Sequence, residues 1–157
     1  MISIPVKVID ELRKGNVREA NHLWGSPYLL KGIVIKGNQL GRKLGFPTAN
    51  LELSGNTPLY LANGVYAVYV IVNSHRYGGV TNIGIRPTLD LHQLTIEVNI
   101  FDFDEDIYGK IISVLFIERI RDELKFPGLE ALKEQITKDK VIAEALLGVG
   151  RYPDSGY

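Results

Sequence analysis

The 157-residue chain contains no cysteine, one methionine and one tryptophan. Lack of cysteine excludes a disulfide scaffold, a thiolate-held zinc or iron–sulfur centre, and a thiol nucleophile. An excess of either charge is missing too: 18 Lys+Arg balance 18 Asp+Glu, for a formal net charge of zero. That balance argues against a generally basic nucleic-acid or membrane-surface protein, while leaving room for a local patch. No apolar run is long enough to span a bilayer, and Met1 to Lys7 holds no continuous hydrophobic segment of signal type. The expected address is cytoplasmic. His22, His75 and His92 lack metal-ligand spacing. Neither G-x-S-x-G nor H-x-G-H occurs, so a serine-hydrolase elbow and the phosphate signature of nucleotidyltransferases are both missing.

What is present suits one globular domain, since 157 residues can bury about 68–70% of their unfolded surface without staples. Up to residue 27 the pattern is helical. Val6, Ile9, Leu12 and Arg13 fall at helical spacing after Pro5, Gly15-Asn16 interrupts, and Val17 to Trp24 resumes before Gly25-Ser26-Pro27. This pair reads as an appendage packed on something larger. From Tyr28 the period shortens to that of strands, expected over Tyr28–Lys36, Thr48–Leu53, Gly64–Asn73, Arg76–Ile83, Leu94–Phe101 and Lys110–Glu118. Val65 to Val72 is apolar on both faces, which suits a strand covered on both sides. Leu94 to Ile100 alternates strictly. Short strands without intervening helices predict an antiparallel sheet closed into a small barrel. A helical stripe returns with Leu129, Leu132, Ile136, Ala143, Leu146 and Leu147, and Gly148 and Gly150 end it. The expected division is a helical segment over 1–27, a barrel with its C-terminal helix over 28–148, and a polar tail over 149–157.

Three features could carry chemistry. Gly37 to Gly45 holds three glycines at intervals of four with Arg42 and Lys43 between them. Such a loop can bring amides and cations to a phosphate, yet it fits neither the P-loop nor the G-x-G-x-x-G pattern, and a solvated hairpin connection explains it equally well. Thr48 and Asn50 stand two apart on a strand and so share a face. Both offer neutral oxygens suited to Mg²⁺, although a turn could use the same pair. Glu97 lies mid-strand between Ile96 and Val98. Strand pattern alone favours a solvated outer face; the functional reading is a general base at the barrel mouth. Asn82-Ile83-Gly84-Ile85-Arg86-Pro87-Thr88 reads as a turn, and the acidic run Asp102, Asp104, Glu105 and Asp106 as an exposed one.

Read together, Gly41-Arg42-Lys43-Leu44-Gly45-Phe46-Pro47-Thr48-Ala49-Asn50-Leu51, then Gly64-Val65-Tyr66-Ala67, then residues 82–88, closely resemble riboflavin kinases. Glu97 to Phe103 and Ile120 to Phe126 follow in that family's order, and the similarity spans about residues 28–147. Residues 3–27 resemble the segment before this domain in bacterial bifunctional riboflavin kinase/FAD synthetases. The resemblance implies a mainly β (α+β) fold: a six-stranded antiparallel Greek-key barrel with a long C-terminal helix and a short N-terminal helical segment. It implies Mg²⁺-dependent transfer of the ATP γ-phosphate to the riboflavin 5′-hydroxyl, giving FMN and ADP. By position, Glu97 would be the catalytic base, and Thr48 and Asn50 would meet the metal and the ATP phosphates. Gly37, Arg42 and Tyr108 would serve ATP. Arg121, Leu124 and Phe126 would lie on a loop closing over the flavin. The expected partners are small molecules, with no membrane, no nucleic acid for this domain, and a monomeric state. An alternative is a flavin-responsive regulatory or binding protein that keeps the kinase fold and acts through a partner, a further module or RNA.

Overall fold

The computed structural model describes residues 3–35, 48–87 and 92–148. Two helices open it, α1 (Val6–Arg13) and α2 (Val17–Trp24). Six strands follow: β1 (Tyr28–Ile35), β2 (Thr48–Leu53), β3 (Gly64–Val72), β4 (His75–Pro87), β5 (His92–Ile100) and β6 (Ile111–Arg121). Helix α3 (Leu129–Leu147) closes the described chain.

Every strand pair is antiparallel, and the order β1-β2-β5-β4-β3-β6 closes on itself. Strands β3, β4 and β5 form a meander, and β2 lies beside β5 rather than β3, which is the Greek-key arrangement. Alternation assigns the faces. On β1, Tyr28, Leu30 and Val34 point into the barrel, while Leu29, Ile33 and Ile35 point out. Val98 and Ile96 on β5, Thr81 and Ile83 on β4, and Tyr66, Val68 and Val70 on β3 are likewise buried inside. Strand β3 is covered on both faces, as its apolar run requires. Its outward Ala67 and Tyr69 pack with Leu115 and Phe101 under Ala143 and Leu147 of α3.

Three strands run further than their sequence pattern suggested, β5 by starting at His92 rather than Leu94. β4 continues through Gly84, Ile85, Arg86 and Pro87 to pair with His92–Thr95, so the stretch expected to be a turn from Asn82 is mostly ladder. Pro87 costs little there because it is the last residue of its strand. β6 continues to Arg121 by way of two irregularities opposite β3, between Ala67 and Val68 and between Val65 and Tyr66. Such bulges interrupt alternation, which is why the end of this strand is hard to see in the sequence.

The helical pair packs on the barrel. Val8, Leu12, Val17 and Ala20 belong to the same buried cluster as the barrel interior. The buried face of α1 is therefore Val8 and Leu12, while Val6 is exposed. Asn21 ties α2 to two strands at once: its amide donates to the Phe116 carbonyl at 2.7 Å and its oxygen accepts the Tyr28 N–H at 2.8 Å. Burial pushes the Tyr66 phenol above its ordinary pKa, against the pull of nearby Arg119, and its hydroxyl donates to the Ala62 carbonyl. Gly148, at φ 61°, ends α3 in the left-handed conformation that glycine adopts without a Cβ clash.

Candidate active site

The outer face of the barrel carries a row of residues, polar except at Val65, that crosses several strands. Asn50 on β2 stands opposite Glu97 on β5, and Glu97 stands opposite Asn82 on β4. Asn82 stands opposite Val65 on β3, and Val65 opposite Arg121 on β6. Directly paired residues share a face with Cβ atoms about 4.5–5.5 Å apart. The face is outward because the flanking residues point inward: Ala49 packs on the core, and Ile96, Val98, Thr81 and Ile83 are buried in it. Thr48, two residues before Asn50, lies opposite Asn99, so it joins the same face one step along.

The half-buried carboxylate of Glu97 thus sits between two amides, Asn50 and Asn82, with the Thr48 hydroxyl diagonal to it. The sequence expected Thr48, Asn50 and Glu97 to act at one site, and the register brings them together. Thr48 and Asn50 contribute neutral oxygens, a donor type that suits Mg²⁺ when phosphate oxygens and water complete the shell. Among the described residues, no cluster of three His, Asp or Glu could hold a metal by itself.

Arg121 marks the other end of the row. Its Nε donates to Asp139 Oδ1 at 2.9 Å, its NH2 to Asp139 Oδ2 at 2.8 Å, and its NH1 to the Asp122 carbonyl at 2.9 Å. Gln135 donates to Asp139 Oδ1 at 3.0 Å. The side chain of Asp139 is 5% exposed and that of Arg121 17%, so this fork is largely desolvated. Arg121 is consequently the last, anchored residue of β6 and not part of a loose loop. The loop begins after it, and Phe126 returns so that its ring lies 5.8 Å from the Arg121 guanidinium carbon. Leu124 is exposed between them. Tyr108 is exposed beside the end of β1, where the Gly109 N–H donates to the Val34 carbonyl at 2.9 Å. Gly37 and Arg42 lie outside the described residues.

Three residues of this surface had no assigned role in the sequence. Asp139 interrupts the stripe Asp139, Ala143 and Leu147 at intervals of four, and a charge in a buried helical stripe is the signal that could have found it. Glu123 lies over Gly84: a Cβ on that glycine would collide with Glu123 Oε2, so glycine there admits the carboxylate to the outer face. Asn82 has a buried side-chain oxygen, Oδ1, with no hydrogen-bond partner among the described residues. An orphaned buried acceptor costs about 1–3 kcal/mol.

The sequence profile of riboflavin kinase (flavokinase) matches residues 24–147. This chain belongs to the riboflavin kinase family. Among curated riboflavin kinases, it is 49% identical over 132 residues to the bifunctional riboflavin kinase/FMN adenylyltransferase of Bacillus subtilis, covering 82% of this chain and 42% of that one. It is 46% identical over 112 residues to the RNA-binding riboflavin kinase RibR of the same organism, covering 71% of this chain and 47% of RibR. The chain therefore spans less than half the length of these curated relatives. The crystal structure of riboflavin kinase from Trypanosoma brucei superposes with a TM-score of 0.56 at 26% identity, covering 80% of this chain and 82% of that one. The barrel is thus the riboflavin kinase fold. No helix among the described residues is long and apolar enough to cross a membrane.

Proposed function

We propose that this chain phosphorylates riboflavin, transferring the γ-phosphate of ATP to the ribityl 5′-hydroxyl to give FMN and ADP. The observation that carries the reading is the cross-strand pairing of Asn50 with Glu97. It sets a proton acceptor beside neutral oxygen donors, and phosphoryl transfer asks the protein chiefly for positioning and charge neutralisation. Thr48 and Asn50 would hold Mg²⁺, which when bound would neutralise phosphate charge. Glu97 accepts the 5′-hydroxyl proton as that oxygen bonds to the γ-phosphorus and the bond to the ADP oxygen breaks. Gly37, Arg42 and Tyr108 serve the nucleotide. Arg121, Leu124 and Phe126 serve the flavin, with Phe126 offering a ring face to the isoalloxazine. The Glu97 carboxylate thereby divides the site into a phosphate half on β2 and a flavin half reaching toward β6. We place the protein in the cytoplasm, acting on small molecules as a monomer.

Incubation with riboflavin, ATP and Mg²⁺, followed by chromatography, tests the reading. FMN and ADP in equal amounts are expected, with no FAD; absence of FMN overturns it. A second reading, a flavin-responsive regulator, draws on the likeness to an RNA-binding riboflavin kinase. Flavin binding without turnover would favour that one.

A further inference from the structure

Resting on the riboflavin kinase reading, we infer that Asn82 binds the substrate's polyol chain, its side-chain carbonyl accepting a hydrogen bond from a hydroxyl next to the one that is phosphorylated. Asn82 faces outward between inward-pointing Thr81 and Ile83, directly opposite Glu97. Its Oδ1 is buried yet receives no hydrogen bond from any described residue. The described groups around it explain why none of them supplies a donor. Glu97 opposite and Glu123, lying over Gly84 two residues further along the strand, are carboxylates and can only accept when ionised. The Thr95 hydroxyl donates to the Gly84 carbonyl at 3.3 Å. Arg121, beyond Val65 on the same row, has its Nε, NH1 and NH2 committed to Asp139 and Asp122.

No described residue supplies that donor, and a ligand that carries hydroxyls can. Anions bring none and would meet two carboxylates. A neutral chain of hydroxyls brings several, and each can donate to Asn82 while the terminal one faces Glu97. Asn82 also lies across Glu97 from Thr48 and Asn50, on the side toward Arg121 and Phe126 and away from the proposed phosphate half. A site built to hydrogen-bond a hydroxyl rejects an analogue that lacks it, because its own polar group is then left unpaired. Asn82 is thus a residue that selects for the polyol side chain, independently of the ring.

The test compares riboflavin with lumiflavin, which has the same ring and a methyl group in place of the polyol, by fluorescence titration in the presence of MgADP. Asn82→Ala should raise the riboflavin Kd about tenfold, the loss of one neutral hydrogen bond, and leave lumiflavin affinity and the KM for MgATP unmoved. Asn82→Leu keeps the branched side-chain shape without polar atoms and should behave alike. Apo melting temperatures of both variants should equal or exceed that of the unmodified protein, since an unpaired buried acceptor has been removed. Equal losses for both flavins, a rise in the MgATP KM instead, or a fall in melting temperature for both variants overturns the assignment. If the unmodified protein binds riboflavin and neither substitution changes that binding, the Asn82 assignment alone fails. If the unmodified protein binds neither flavin, the kinase reading itself fails and takes this one with it.

Discussion

Arg121 and Asp139 meet as a two-pronged ion pair, 2.9 Å and 2.8 Å, that joins the last residue of β6 to the buried stripe of α3. It links the C-terminal helix directly to the polar row and fixes the guanidinium against which Phe126 rests. Removing one partner strands the other in a mostly dry site. Asp139→Ala should lower the unfolding free energy by about 3–5 kcal/mol, measured by urea denaturation. Replacing both, Arg121→Met with Asp139→Leu, should recover a large part of that loss. A single-variant loss near zero would mean that water already screens the pair.

Glu97→Gln keeps size and hydrogen-bonding capacity but removes the proton acceptor. Turnover should fall about 10²–10⁴-fold with little change in flavin affinity. Steady-state kinetics beside a fluorescence titration separate the two effects, and near-normal turnover would return Glu97 to a solvated outer face.

Chelation of divalent cations should abolish FMN formation, and added Mg²⁺ should restore it. Thr48→Ala removes the hydroxyl oxygen and one methyl group at a half-buried position, so the Mg²⁺ concentration for half-maximal rate should rise while the melting temperature holds. An unchanged Mg²⁺ titration would take Thr48 out of the metal's shell.

Phe126 is half-buried, and its ring rests on Arg121 outside the two buried clusters of the core. Phe126→Ala should therefore leave apo stability nearly unchanged and raise the Kd for riboflavin and FMN. A buried anchor would instead cost about 3–5 kcal/mol on truncation. Thermal melting and flavin titration of the same variant decide between them.

Much of this molecule can be read from residue order alone, for definable reasons. Alternation in β1 and β5 gives the face of each side chain, so Glu97 is outward before any coordinates exist. Cross-strand register is another matter. Nothing local in Asn50 or Asn82 says that both will lie beside Glu97, because their pairing is decided by barrel closure and hairpin geometry. Bulges in β6 break the period of two and hide the strand's true end, so Arg121 looks like a loop residue. The apolar stripe of α3 holds at Ala143 and Leu147 but misleads at Leu129, which is exposed, while the unexpected Asp139 is buried beside them.

Barrel closure has a temporal consequence. Tyr28 of β1 pairs with Phe116 of β6, partners far apart in the chain, whereas β3, β4 and β5 pair as successive hairpins. During synthesis from the N-terminus, the hairpins can form as they emerge, but β1 must wait with one edge open until β6 has left the ribosome. Asn50, Glu97 and Asn82 can line up earlier than Arg121, whose strand arrives last and whose anchor on α3 arrives later still. The part of the polar row formed by Asn50, Glu97 and Asn82 is thus assembled before the part formed by Arg121, and a nascent chain stalled before residue 121 would present an unfinished row and an exposed strand edge together.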